Sequence, residues 1–92
     1  MYEEVRELHA ALVEAAAVHD AVAAECADVA QQLESCGDTL RAETMRGVGR
    51  GMRINALQMS AEACALTARY PHVLAAEAGW GSSLGRGSMK PR

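Results

Sequence analysis

Residues 3–36, EEVRELHAALVEAAAVHDAVAAECADVAQQLESC, decide the fold. Within them Val5, Leu8, Leu12, Ala15, His19, Val22, Cys26, Val29, Leu33 and Cys36 alternate steps of three and four. That is the spacing of a coiled-coil seam on one helix face. Ala16, Ala23 and Ala30 flank the seam, and small flanks let a neighbouring helix approach closely. The run Ser35-Cys36-Gly37-Asp38-Thr39 then supplies a stop and a restart. Gly37 suits the left-handed position after a helix end, and Asp38 or Thr39 can cap the next helix. The first helix is therefore predicted over about residues 2–35, roughly 50 Å long at about 1.5 Å per residue.

A second helix is predicted over about 39–69, ended by Pro71, which pushes Tyr70 away from helical geometry. This helix has two apolar faces. Val48, Met52, Asn55, Met59, Ala63, Leu66 and Tyr70 fall on one side at helical spacing, and Ile54, Leu57, Ala61, Cys64 and Ala68 fall nearly opposite. A helix apolar on both sides needs two partners. The first helix is one; a second chain is the other, because a lone hairpin of this size has little core. The expected fold is all-α: a long antiparallel two-helix hairpin that associates into a four-helix bundle or a larger ring. Ile54, Leu57, Ala61 and Cys64 are its predicted oligomer interface.

Gly47, Gly49 and Gly51 interrupt the second helix at a cost of roughly 1 kcal/mol each relative to Ala. A phosphate-binding loop needs a preceding strand and a Lys-Ser/Thr ending, and neither is present. Two readings stay open: close helix–helix approach, or a break that splits the helix near residues 47–51.

After Pro71 the composition changes. His72 to Ala78 can form a short third helix with Pro71 at its first position. From Gly79 the chain reads GWGSSLGRGSMKPR, a Gly/Ser-rich stretch too poor in apolar residues to fold alone. The predicted organisation is a helical hairpin domain over 1–78 and a flexible tail over 79–92. Within the tail Leu84 and Met89 are apolar anchors and Lys90 follows at once, as in short linear recognition peptides.

Composition excludes several classes. Half of the 92 residues are apolar, but the aromatic ones are only Tyr2, Tyr70 and Trp80. Nine Lys and Arg stand against twelve Asp and Glu, without the basic excess of a nucleic-acid binder. No run approaches the roughly 18 apolar residues of a membrane span, and the acidic start does not resemble a signal peptide. Three cysteines without framework spacing fit free thiols in a reducing, cytoplasmic compartment. Charge is also segregated. Residues 1–36 carry −7 and residues 37–69 carry +2, which favours laying the two segments side by side. Arg46, Arg50 and Arg53 follow i, i+4, i+7 spacing, so they could line an acidic partner surface or simply form a solvated helix face.

Ser83-Leu84-Gly85-Arg86-Gly87-Ser88-Met89-Lys90 resembles the C-terminal targeting peptide of encapsulin cargo proteins, which docks on the inner wall of a self-assembling shell. Leu84, Gly85, Gly87, Ser88, Met89 and Lys90 match that pattern; Arg86 stands where the family has an apolar residue. A hairpin followed by such a tail is also similar to the encapsulated ferritins, whose iron-oxidising site uses a Glu on the first helix and a Glu-x-x-His on the second. Here Glu14 and Glu25 lie on the first helix, but Glu62 is followed three residues on by Ala65 and no Glu-x-x-His occurs. The resemblance implies an encapsulin shell protein as partner, a second copy of the chain as another, and residence in the cytoplasm inside such a nanocompartment. Iron storage or oxidation is the metal handling it implies, although the iron site itself does not carry over residue by residue.

The residues themselves suggest a different metal chemistry. If the hairpin turns at Gly37-Asp38, residues whose numbers sum to about 75 face each other, which brings His19 near Met52, Asn55 and Met59, with Cys26 further along the seam. His19, Cys26, Met52 and Met59 are soft or borderline ligands that suit Cu(I) or haem iron, and they are equally suited to filling a helical core. No nucleophile elbow, Cys-x-x-Cys or Cys-His pair at a family spacing is present, so no catalytic residue is assigned. The competing class is a helical adaptor or small chaperone that binds a partner helix without chemistry.

Overall fold

The computed structural model describes residues 2–74, which form two long helices and a short terminal turn. Helix α1 spans Glu3–Ser35 and helix α2 spans Thr39–Arg69. Both match the predicted boundaries closely. Glu3 and Glu4 place negative charge in the first turn of α1, where the helix dipole favours it, and Arg69 places positive charge in the last turn of α2.

The reversal between them follows from local chemistry. Asp38 N–H donates to the Leu33 carbonyl at 2.8 Å and Gly37 N–H to the Glu34 carbonyl at 3.0 Å. That pair of bonds closes a helix end around a left-handed residue, and Gly37 supplies it with φ at +88°. One residue later Asp38 accepts the Arg41 N–H at 3.2 Å and so caps α2. Stop and start share three residues.

The register is that of an antiparallel hairpin in which facing residues sum to 72–76. Tyr2 meets Tyr70 edge to face with ring centroids 6.3 Å apart, His9 meets Thr67, and Gly49 meets Ala23 and Cys26. At the open end Tyr70 closes α2 by donating its N–H to the Leu66 carbonyl, and its own carbonyl accepts from Val73 and Leu74. Residues 71–74 form one helical turn that folds onto this end, burying Val73 and leaving Leu74 only 1% exposed. The predicted third helix is thus described over its first turn, and its continuation to Ala78 lies outside the described residues.

Alanine makes the helix–helix contact. Apart from Cys26, every buried residue of α1 and α2 is Ala: Ala16, Ala23 and Ala30 on one side, Ala42, Ala56 and Ala63 on the other. In each helix these recur every seventh residue, with Gly49 taking its turn in the α2 row. A second row carries the larger side chains, all half-buried except Cys26: Val5, Leu12, His19, Cys26 and Leu33 of α1, and Met45, Met52, Met59 and Leu66 of α2.

The seam of α1 is therefore turned by one residue from the predicted one. Val5, Leu12, His19, Cys26 and Leu33 belong to it as expected, but Leu8 and Val29 are exposed and Ala16, Ala23 and Ala30 take the inner positions. The physical reason is size, because small side chains at the inner row let the helix axes close up along their whole length. In α2, Met52, Met59, Ala63, Leu66 and Tyr70 face α1 as expected, whereas Val48 and Asn55 are exposed. The glycines do not break the helix. Gly49 is the point of close approach, and Gly51 has open space where a Cβ would be.

Candidate functional site

The two rows give the hairpin two unlike faces. Where Ala faces Ala the surface is grooved, and two clefts among the described residues open there. The first, of about 310 Å³, has Ala23, Ala27 and Gly49 as its floor and Arg46, Arg50 and Arg53 around it. The second, of about 250 Å³, is lined by His9, Val13, Ala16, Ser60, Ala63, Cys64 and Thr67.

Arg46 is committed within the chain. Its guanidinium donates a hydrogen bond to Glu34 across the hairpin and lies 3.8 Å from Glu43. The Glu34 bond, and then the Glu34 charge, raise the Arg46 pKa above the usual guanidinium value. Among the described residues no ion pair involves Arg50 or Arg53, so the predicted arginine row splits into one structural member and two that face solvent. In the second cleft the Thr67 hydroxyl donates to the Ala63 carbonyl at 3.1 Å and lies 3.3 Å from His9 Nε2. With its one proton given to the carbonyl, the hydroxyl oxygen accepts from His9 Nε2–H.

The soft residues lie on the opposite edge of the seam. His19 is half-buried and its Nδ1 donates to the Ala15 carbonyl at 2.8 Å, which leaves Nε2 as its available ring nitrogen. In the observed register His19 is level with Ala56, midway between Met52 and Met59, about 5 Å along the axis from each. Cys26 is one heptad, about 10 Å, further along and faces Gly49. The structure therefore puts His19 with both methionines and sets Cys26 apart from them. Among the described residues no group of three or more His, Cys, Asp and Glu converges as a metal site.

Ile54, Leu57, Ala61 and Cys64 are all exposed, with Leu57 at 65%, and Cys64 lines the second cleft beside Val13 and Ala16 of α1. The predicted docking residues Leu84, Gly85, Gly87, Ser88, Met89 and Lys90 lie outside the described residues. No helix among the described residues is long and apolar enough to cross a membrane.

Two features escaped the sequence reading. His9 occupies the inner row of α1, and its signal was the seven-residue spacing to Ala16, Ala23 and Ala30. The other is an apolar strip on the ungrooved face. Leu8, Ala11, Ala15, Val18, Val22 and Val29 run along α1 there, and Val48 of α2 lies on the same side. Leu8, Val18, Val29 and Val48 are all exposed large hydrophobic residues.

No family model, curated protein or solved structure matches this chain.

Proposed function

We propose that this chain is a self-associating helical cargo protein, delivered to the inner wall of an encapsulin shell by residues 83–90. The observation that carries the reading is the six-residue agreement of Leu84, Gly85, Gly87, Ser88, Met89 and Lys90 with the targeting pattern, placed behind a Gly/Ser stretch at the end of a hairpin. Leu84 and Met89 fill two apolar pockets, Gly85 and Gly87 let the backbone lie flat between them, and Lys90 meets an acidic rim. Each buried anchor contributes roughly 1.5–3 kcal/mol before ordering costs, so one tail binds weakly and several displayed together bind well. Self-association supplies that multiplicity. Four-helix bundles or rings of them, joined at Ile54, Leu57, Ala61 and Cys64, are assemblies this hairpin can build. Metal handling inside the shell, of iron or copper, belongs to the reading with no ligand set assigned to it, since His19, Met52 and Met59 are taken as packing residues.

The test is co-expression of an encapsulin shell with the full chain, with the chain truncated after Ala78, and with a fluorescent protein bearing residues 79–92. Loading of the full chain and the fusion, and loss of the truncated chain, are expected. Encapsulation of the truncated chain, or exclusion of the fusion, overturns the reading. The exposed apolar strip of α1 favours a second reading, an adaptor whose strip receives a helix of another protein.

A further inference from the structure

The grooved face of the hairpin is lined by buried Ala, whereas the opposite face carries the larger apolar side chains. There the large seam residues Leu12, His19, Met52 and Met59 are only half-buried. Beside them Leu8, Ala11, Ala15, Val18, Val22 and Val29 extend the apolar surface over about 30 Å of α1, interrupted only by Glu25. Val18, at its middle, is 54% exposed. We infer that this face is covered by the same face of a second copy, about a two-fold axis parallel to the helices, so that α1 of each protomer lies on α2 of the other. The inference shares only self-association with the reading above, and assigns it to a different surface.

Charge selects both the occupant and the arrangement. Glu4, Glu7, Glu14 and Asp28 border the strip and Glu25 lies within it, while the only Lys or Arg of α1, Arg6, sits toward the grooved face. Packing α1 on α1 would bring these acids together without a counter-charge. Packing α1 on α2 instead sets them against the edge of α2 that carries Arg41, Val48, Asn55, Glu62 and Arg69 at seven-residue spacing, with two bases to one acid. In the observed register it also sets Glu4 level with the partner's Arg69, and Val18 level with the partner's Asn55. The chain's own last fourteen residues make a poor cover, since Trp80, Leu84 and Met89 are their only large apolar side chains. In this dimer the rows of His19, Met52 and Met59 from the two protomers meet at the bundle centre, and the Ala rows stay outside.

The test compares full-length variants by sedimentation at low micromolar concentration, with helicity measured alongside. The parent is expected to be a dimer. Val18→Asp is expected to become monomeric with its helicity kept, Val18→Leu and Leu57→Asp to keep the dimer mass, and the chain truncated after Ala78 to keep it as well. A monomeric parent, a Val18→Asp dimer, or dissociation by Leu57→Asp or by the truncation overturns the inference. Should Val18→Asp lose its helicity, pairing decides. With the exposed Cys36 and Cys64 changed to Ser, a Val18→Cys chain mixed with an Asn55→Cys chain is expected to give a disulfide-linked heterodimer. Linkage of Val18→Cys only to itself indicates α1 on α1 and overturns the arrangement. Shell loading takes no part in these measurements, so the cargo reading and the dimer stand or fall separately.

Discussion

A Cβ placed on Gly49 would lie 3.3 Å from the Cβ of Cys26 and 3.5 Å from the Ala23 carbonyl oxygen. The first distance is tighter than ordinary packing, so at this glycine α2 presses close on α1. Gly51 has nothing within 4 Å of the same position, and Gly47 meets only the Arg50 side chain, at 3.7 Å.

Three neighbouring glycines should therefore respond differently to Ala. Gly47→Ala and Gly51→Ala are expected to stabilise the hairpin by about 0.5–1 kcal/mol each, from helix propensity alone. Gly49→Ala loses that gain to crowding, and Gly49→Leu is expected to destabilise by about 1–3 kcal/mol. Thermal melts of the four variants check the order. Equal gains at all three positions would show that the helices do not touch at Gly49.

The reversal makes a second expectation. Gly37→Ala forces a left-handed residue to carry a Cβ and is expected to cost about 1 kcal/mol. Asp38→Ala removes the cap on Arg41 N–H and is expected to cost about the same. Denaturant titration reads both, and Asp38→Asn should retain most of the cap.

Leu74 is the most deeply buried large side chain among the described residues. Leu74→Ala is expected to cost at least about 2 kcal/mol and to expose amides at the open end to hydrogen exchange. Unchanged exchange near Tyr2 and Tyr70 would show that the terminal turn does not seal that end.

Association should appear in the melt itself. If folded chains are held together by their apolar faces, the melting temperature rises with protein concentration. Measurements over a hundredfold range check this. A melting temperature independent of concentration would mean that the single hairpin carries its own stability.

Copper separates packing from ligation. Because Cys26 stands a heptad away from His19 and the methionines alone offer weak donors, Cu(I) titration of the parent and of His19→Ala/Met59→Leu is expected to coincide. A tight, saturable phase present only in the parent would establish those residues as ligands.

Helix ends and register were legible in the sequence because they rest on short-range chemistry. Gly37, Asp38 and Pro71 each act on their immediate neighbours, and the hairpin length then sets which residues face each other. The inner row was harder to read. A search for apolar spacing weights Leu8, Val22 and Val29 above Ala16, Ala23 and Ala30, whereas the packed pair selects the residues that allow the shortest distance between axes. The three arginines looked alike in sequence and part company in the structure, because only Arg46 finds Glu34 across the hairpin. That partner is twelve residues distant along the chain, beyond the reach of any local pattern.

The two rows of the seam also differ in how the sequence can drift. An unbranched methionine at 45, 52 or 59 can refold its side chain around a changed neighbour, so that row absorbs substitutions. The opposite row has no such slack. Ala23, Ala30, Ala42, Gly49 and Ala56 fix the spacing of two rods over several turns, and one enlarged member lifts its neighbours out of register with their partners. Mutational scanning of this chain should therefore trace a single line of intolerant small positions along each helix, with lenient positions at the methionines beside it.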